Sequence, residues 1–246
     1  KVEARAGGSS SAVGGGGGAL RSSAAPAGSS NPSRPSGSPG PVGNGASIIP
    51  DSPEVPRAVS ECCKFLEQHD EVSNMNIFQE PGDTSIIQTA KAAFDEGRVY
   101  DVRRMGSHNV AGLLWLWFHE LSTPLLTFQC YDKWLEAVTV TDEYGGSDSS
   151  GLVQVANMMP VGNRVTLSVL LALLSKIHAY QGSAAKLASF FAPVLLRPPE
   201  ASRGLDPRSK RLVELLILHT QTLQRALPKP VILTDADVGG GGGGGG

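Results

Sequence analysis

The sequence predicts an all-α bundle of about eight helices, flanked by disordered Gly/Ser/Pro tails, on three observations. Apolar residues between Pro53 and Pro228 recur mostly at a 3.6-residue period, with few alternating runs. Proline and glycine interrupt that pattern at intervals suited to short helix connections. Of the 30 glycines, 12 fall in residues 1–46 and eight form the run Gly239–Gly246, so the body between them holds only ten. The chain thus divides into a linker over 1–46, one domain over 47–230 and a tail over 231–246. A single body of that size can bury a sizeable core.

The elements follow in order. Val55, Ala58, Val59, Cys62, Phe65 and Leu66 mark one face of a helix near 54–68. Asp83 or Thr84 caps a second helix that turns Ile86, Ile87, Ala90, Ala93 and Phe94 inward and stops by Gly97. After a loop over 98–106, Ser107 caps a third, with Val110, Leu113, Leu114, Trp117 and Leu121 in the core and Pro124 as its end. A fourth runs from about Phe128 to Val138, and a short one follows near 151–158. Asn163 caps a long helix through Val165, Leu167, Val169, Leu170, Leu173, Leu174 and Ile177. A helix near 183–195 precedes Pro198-Pro199, which forces extended chain. The last spans about 208–226, closed by Pro228 and Pro230. No strand is required.

Composition narrows the function classes. The formal net charge is −2, but the first 46 residues carry +3, so the remainder sits near −5. A body that acidic argues against nucleic acid, which needs a basic face for its phosphates. No apolar run reaches 18 residues, so no transmembrane segment is expected. Cys62, Cys63 and Cys130 are an odd count without framework spacing and read as buried thiols in a reducing, cytoplasmic setting. Residues 1–46 lack aromatics and periodicity, the composition of a disordered segment. The chain opens on Lys1 and closes inside a glycine run, so it reads as an excerpt and a missing targeting peptide carries no weight.

Self-contained chemistry is absent from the pattern. The five histidines show no metal-ligand spacing, and the glycine runs lack the Lys-Ser/Thr of a phosphate loop. Gly145-Gly146-Ser147-Asp148-Ser149 lacks the last glycine of a nucleophile elbow. Trp115-Leu116-Trp117-Phe118 is more informative. Three large aromatics in four residues cannot share one helix face. Trp117 and Phe118 are expected in the core. Trp115 either faces outward as an interface anchor or packs under a loop.

The order of short motifs carries more than any one of them. Ile49-Pro50 precedes Cys62-Cys63-Lys64-Phe65-Leu66-Glu67, then Asn76-Ile77-Phe78-Gln79-Glu80-Pro81-Gly82 and Ala93-Phe94-Asp95-Glu96-Gly97. Next come Asn109-Val110-Ala111-Gly112-Leu113-Leu114 and Glu120-Leu121-Ser122-Thr123-Pro124-Leu125. Leu152–Pro160 with Asn163, Arg164 and Leu167, then Ala185-Lys186-Leu187-Ala188 and Phe191-Ala192-Pro193, complete the set. Taken in sequence over about 48–200, these motifs resemble the RhoGAP domain, the helical module that stimulates GTP hydrolysis by Rho-family small GTPases.

The resemblance implies a site that this chain has altered. The family's catalytic arginine, on the loop after the first helix, falls on Gln79. Its lysine in the Leu-Lys run falls on Trp115, the arginine bracing the finger loop on His119, and the GTPase-contacting asparagine on Val194. A finger arginine offsets charge building on the transferring phosphoryl, and neutral Gln supplies no such charge. Phe78-Gln79 with Pro81-Gly82, and Leu195-Leu196-Arg197-Pro198-Pro199, are also similar to the RhoGAP-like domain of the type II inositol polyphosphate 5-phosphatases, which likewise carries Gln at the finger position.

The implied function is a module that binds a Rho-family small GTPase while impaired as an activator, with Gln79, Trp115, His119 and Val194 facing the GTPase. No cofactor is expected, since GTP and Mg²⁺ belong to the partner, and membranes would be reached through partners. Two alternatives stand beside it. Arg103 or Arg104, in the loop before the third helix, supplies a displaced arginine, the competing reading being two solvated side chains. Otherwise the body is a scaffold for a peptide adaptor or a neighbouring domain, without a GTPase.

Overall fold

A computed structural model of the chain describes residues 48–68, 76–200 and 204–231. The expectations for the 1–46 linker and for residues 232–246 of the tail lie outside them. Among the described residues the structure holds nine α-helices and no strand beyond one isolated parallel bridge, Glu54 to Val231. The helices are α1 (Arg57–Gln68), α2 (Thr84–Asp95), α3 (Ser107–His119), α4 (Tyr131–Glu143), α5 (Ser150–Asn157), α6 (Val161–Gln181), α7 (Ala184–Leu195), α8 (Arg208–Leu218) and α9 (Thr220–Ala226). Short 3-10 turns at Val102–Arg104 and Phe128–Cys130 lead into α3 and α4.

Helix α6 is the buried axis. Its apolar residues point in every direction, so it lacks the single stripe of a surface helix, and Val165, Leu167, Leu170, Leu173, Leu174 and Ile177 are all fully enclosed. Helices α1, α7, α8 and α9 surround it, while α3 packs on α1, α2 and α7, and α4 on α5 and α8. Two buried N–H groups show how polar atoms are met inside this core. Trp134 Nε1 donates to the Leu126 carbonyl at 3.0 Å, and Leu126 N donates to the Leu195 carbonyl at 3.0 Å. Among the described residues no helix is long and apolar enough to cross a membrane.

Several helix boundaries differ from the periodic reading, each for a local reason. Helix α1 starts at Arg57 because the Pro56 ring disfavours helical backbone at Val55, and residues 53–55 are drawn into extended pairing by the Val231 N–H on the Pro53 carbonyl at 3.0 Å. Asp83 caps α2, its carboxylate accepting from Ser85 N and Ile86 N, and Ile86, expected inward, is 38% exposed. Ser107 is the first residue of α3, not its cap; Gly106 occupies that position at φ 78°, a conformation glycine takes without strain. Helix α3 ends at His119, short of Pro124, and α4 begins after the Phe128 turn and extends to Glu143. The single terminal helix expected over 208–226 is two, broken at His219. There Thr220 Oγ1 takes the Leu216 and Ile217 carbonyls, at 3.1 and 2.7 Å, in competition with backbone donors.

The start of α6 was hidden most thoroughly. Asn163 is not its cap but a buried first-turn residue whose Nδ2 donates to the Leu125 carbonyl at 2.8 Å. Pro160 at the boundary offers no capping side chain. Asp51, 110 positions earlier, does that work by accepting from Val161 N at 2.9 Å. Gly162 allows the approach, since a Cβ there would sit 1.8 Å from the Pro50 carbonyl oxygen. Gly162→Ala should therefore destabilise the fold by about 1–3 kcal/mol, the cost of forced overpacking. Gly151→Ala, whose Cβ would meet Ala137 Cβ at an ordinary 3.6 Å, should be neutral or stabilise by up to about 1 kcal/mol. Denaturant unfolding of both variants checks the pair, and equal effects would contradict the contact.

Candidate functional site

The loop that carries Gln79 is rooted by hydrophobic burial and tied by backbone. Gln79 N and Glu80 N both donate to the Asn76 carbonyl, at 2.8 and 3.0 Å, closing a tight turn. Ile77 and Phe78 are buried, and the Phe78 ring packs edge-on to Phe191 at 5.0 Å and tilted to Phe190 at 5.5 Å. Gln79 is left exposed at the tip.

Helix α3 fixes the other end of the loop. Asn109 Oδ1 accepts from Asp83 N at 2.6 Å, while Asn109 Nδ2 donates to the Met105 carbonyl at 2.6 Å. Gly82 lets the loop lie this close, because a Cβ there would meet Asn109 Oδ1 at 2.6 Å and the His108 carbonyl at 3.0 Å. One turn on, Gly112 admits Ile87, whose Cδ1 would stand 2.6 Å from an added Cβ. The Ile87 side chain of α2 is thereby seated against the α3 backbone, and the loop lies on the α3 N-terminus.

A cleft of about 350 Å³ opens between the loop, α2 and α3. Its walls are mainly Ile77, Phe78, Ile87, Trp115, Leu116 and Phe190, with Gln79, Glu80, Thr84 and Gln88 at its edge. Trp115 is half-buried, not an outward anchor. Its Nε1 donates to the Phe190 carbonyl at 3.3 Å, and its ring lies 5.6 Å from Phe190. The exposed His119 ring stacks on the other side of the indole at 4.9 Å, with an interplanar angle of 18°. Among the described residues no Lys or Arg lines the cleft, and Glu80 is its charged side chain.

The structure thus brings Gln79 and Trp115 to one cleft and places His119 against Trp115. Val194 does not join them: it is 1% exposed, on the inward stripe of α7, and presents no side chain to a partner. Trp117, expected in the core, is only half-buried and meets Phe118 edge-on at 5.1 Å. Arg103 lines a separate cleft against α1, with Arg57, Glu61 and Lys64. Its guanidinium bridges both oxygens of Asp101, at 2.7 and 3.2 Å, which holds the Asp101 carboxyl below its ordinary range and the arginine above. Arg104 lies 3.6 Å from the same carboxylate. The three cysteines are buried and free, and desolvation pushes the Cys62 and Cys63 thiols well up, so neither offers a thiolate.

Sequence reasoning missed three residues that shape this site. Phe190 forms a wall and accepts from Trp115, Asn109 anchors the loop, and Arg197 closes α3. The Arg197 guanidinium donates to the His119 carbonyl at 3.4 Å and to the Leu121 carbonyl, taking up carbonyls that the helix end leaves open. Burial lowers its pKa from the usual arginine value. Asn109 and Arg197 stood in the quoted motifs without a role, and Phe190 only beside the quoted Phe191.

Comparison with known proteins bears on this geometry. Residues 56–200 match the RhoGAP domain family. The chain is 30% identical over 165 residues to the GTPase-activating protein CdGAPr of Drosophila melanogaster, covering 64% of this chain and 9% of that protein. It is 34% identical over 152 residues to human Rho GTPase-activating protein 30, covering 58% and 13%. The chain therefore spans about a tenth of the length of these relatives. Among solved structures it is similar to the BH domain from GRAF, the GTPase regulator associated with focal adhesion kinase (TM-score 0.59, 19% identity, 70% of this chain and 95% of that one). Human Rho GTPase activating protein 15 is similar in the same way (TM-score 0.60, 22% identity, 69% and 83%).

Asn109→Ala should remove both ends of the anchor, at a cost of about 1–2 kcal/mol. Hydrogen exchange at the Asp83 amide should accelerate more than exchange in α6. Unchanged Asp83 protection would mean that Asn109 does not hold the loop.

Proposed function

Because the chain belongs to the RhoGAP domain family, we propose that it is a docking module for a Rho-family small GTPase that binds without supplying the catalytic arginine. The observation that carries this reading is Gln79 at the exposed loop tip, with Trp115 and His119 stacked where the family places lysine and arginine. Phosphoryl transfer spreads developing charge over the transferred oxygens, and a finger arginine is worth about 10³–10⁵ in rate. A neutral amide cannot offset that charge at comparable strength. The cleft beneath it adds indole, phenyl and aliphatic surface in place of cations. GTP and Mg²⁺ would be carried by the GTPase, and membrane recruitment would come through partners.

A displaced arginine is the competing reading. Arg103 and Arg104 are the candidates, with side chains 75% and 86% exposed. Both are engaged by Asp101, and Arg103 lies in a cleft that shares no lining residue with that beneath Gln79. An arginine delivered from there would have to leave its carboxylate and move to the other cleft. The scaffold reading loses its anchor, because the Trp115 indole is committed to the domain's own Phe190.

Single-turnover GTP hydrolysis on Rho-family GTPases, with this chain at saturating concentration, tests the proposal. Wild type should accelerate the reaction by less than about tenfold, against about 10³-fold or more for an arginine-bearing relative. Gln79→Arg should recover little, because Trp115 and His119 stay. Arg103→Ala and Arg104→Ala should leave the rate unchanged. Strong wild-type acceleration that disappears in either arginine variant would overturn the proposal in favour of the displaced finger.

A further inference from the structure

We infer that Ser52 is a phosphorylation site for a proline-directed protein kinase, and that the modification releases the segment 48–56 from the start of α6. The inference is independent of the GTPase reading and involves none of the residues that line the cleft beneath Gln79.

Sequence and exposure together select the residue. Two Ser/Thr-Pro pairs lie among the described residues, Ser52-Pro53 and Thr123-Pro124. A kinase of this class seats the residue after the acceptor on a surface that offers no partner for an N–H, and proline is the residue that lacks one. That seating needs the proline free. Pro124 is buried, whereas Pro53 is exposed, as are Pro50, Asp51 and Glu54 around it. Ser52 is partly exposed, and residues 48–56 lie outside any helix, so the chain can be presented without unwinding one. The Ser52 hydroxyl is lightly held, accepting from Glu54 N at 3.4 Å.

The chemistry is a single transfer. Ser52 Oγ attacks the γ-phosphorus of ATP, an O–P bond forms, and the bond from that phosphorus to the β–γ bridging oxygen breaks. The hydroxyl proton passes to the kinase's catalytic aspartate, and ADP leaves.

The contacts on either side of Ser52 set the consequence. Asp51 accepts from Val161 N at 2.9 Å and so supplies the α6 cap that Pro160 does not. The Pro50 carbonyl lies where only a glycine, Gly162, leaves room for it. Past Ser52, the Pro53 carbonyl accepts from Val231 N at 3.0 Å. Ser52 thus stands between the two attachments of the segment. A phosphoryl group there carries a charge of about −2 and sits in sequence between the carboxylates of Asp51 and Glu54. Like-charge repulsion then works against the Asp51 carboxylate holding its place on α6.

Incubation of the full chain with Mg-ATP and a purified mitogen-activated protein kinase, followed by site-resolved mass spectrometry, tests the site. Ser52 should be modified and Thr123 should not. Pro53→Ala should lower incorporation at Ser52 by about tenfold or more, the cost of an unpaired N–H in the kinase groove. Hydrogen exchange on the phosphorylated chain tests the consequence. The Val161 amide should exchange about threefold or more faster, as on loss of a helix cap, while amides in the middle of α6 keep their rates. Asp51→Ala should give the same acceleration without phosphate, and phosphorylation of that variant should add nothing further. Capture of the phosphoryl by the α6 N-terminus, Arg57 or Arg164 would instead slow exchange at Val161. No incorporation at Ser52, equal incorporation at Thr123, or incorporation that survives Pro53→Ala would overturn the inference. So would Val161 exchange that is unchanged or slower after modification, or that rises further on phosphorylation of Asp51→Ala.

Discussion

The close seating of Ile87 and of the Gln79 loop on α3 is the constraint on which the candidate site rests. Two glycines and one asparagine create it. Gly112 admits Ile87, Gly82 lets the loop pass over the α3 N-terminus, and Asn109 bridges Asp83 to Met105. A side chain at Gly82 would press on the α3 backbone, and one at Gly112 would displace the Ile87 side chain. With the contact in place, Phe78 reaches Phe190 and Phe191 on α7, and three separate segments converge behind one exposed residue. Lys91 reinforces the same pair of helices, lying 2.6 Å from Asp95 and 3.0 Å from Glu120.

Among the described residues, what converges there lines a cleft without a cation. A charged finger works because its cation meets charge that grows only in the transition state. Here the tip is an amide, and the surface beneath it is indole, phenyl and aliphatic carbon. Such a surface rewards burial, which stabilises a bound complex and a transition state alike. Uniform binding of this kind holds a partner without accelerating it. Docking without activation is the role proposed on that ground.

Helical order was legible in the sequence, and its exceptions are tertiary. Periodicity located the helices because most bury one stripe against their neighbours, and the α2 cap was visible as a polar residue, Asp83 or Thr84, ahead of an apolar run. The α6 start was not, since its cap comes from Asp51 across 110 residues while Asn163 turns inward to Leu125. The break at His219 was equally hidden, because Thr220 reads as an ordinary helix residue until its hydroxyl is seen on two carbonyls. Motif order singled out Gln79, Trp115 and His119, which the structure brings near one cleft. The side chain of Trp115 was settled only by Phe190, 75 residues later, and Val194 was misdirected because alignment with a polar position says nothing about where a valine turns.

Affinity for a Rho-family GTPase loaded with GDP and aluminium fluoride, compared with the same GTPase bearing a non-hydrolysable GTP analogue, tests the central claim most directly. The fluoride complex mimics the transferring phosphoryl, and a group that stabilises the transition state binds it more tightly. With Gln79 at the tip and an apolar cleft beneath, the two affinities should agree within about threefold. Binding tighter by about a hundredfold or more in aluminium fluoride would mean that the chain still delivers a catalytic charge, and would contradict the account.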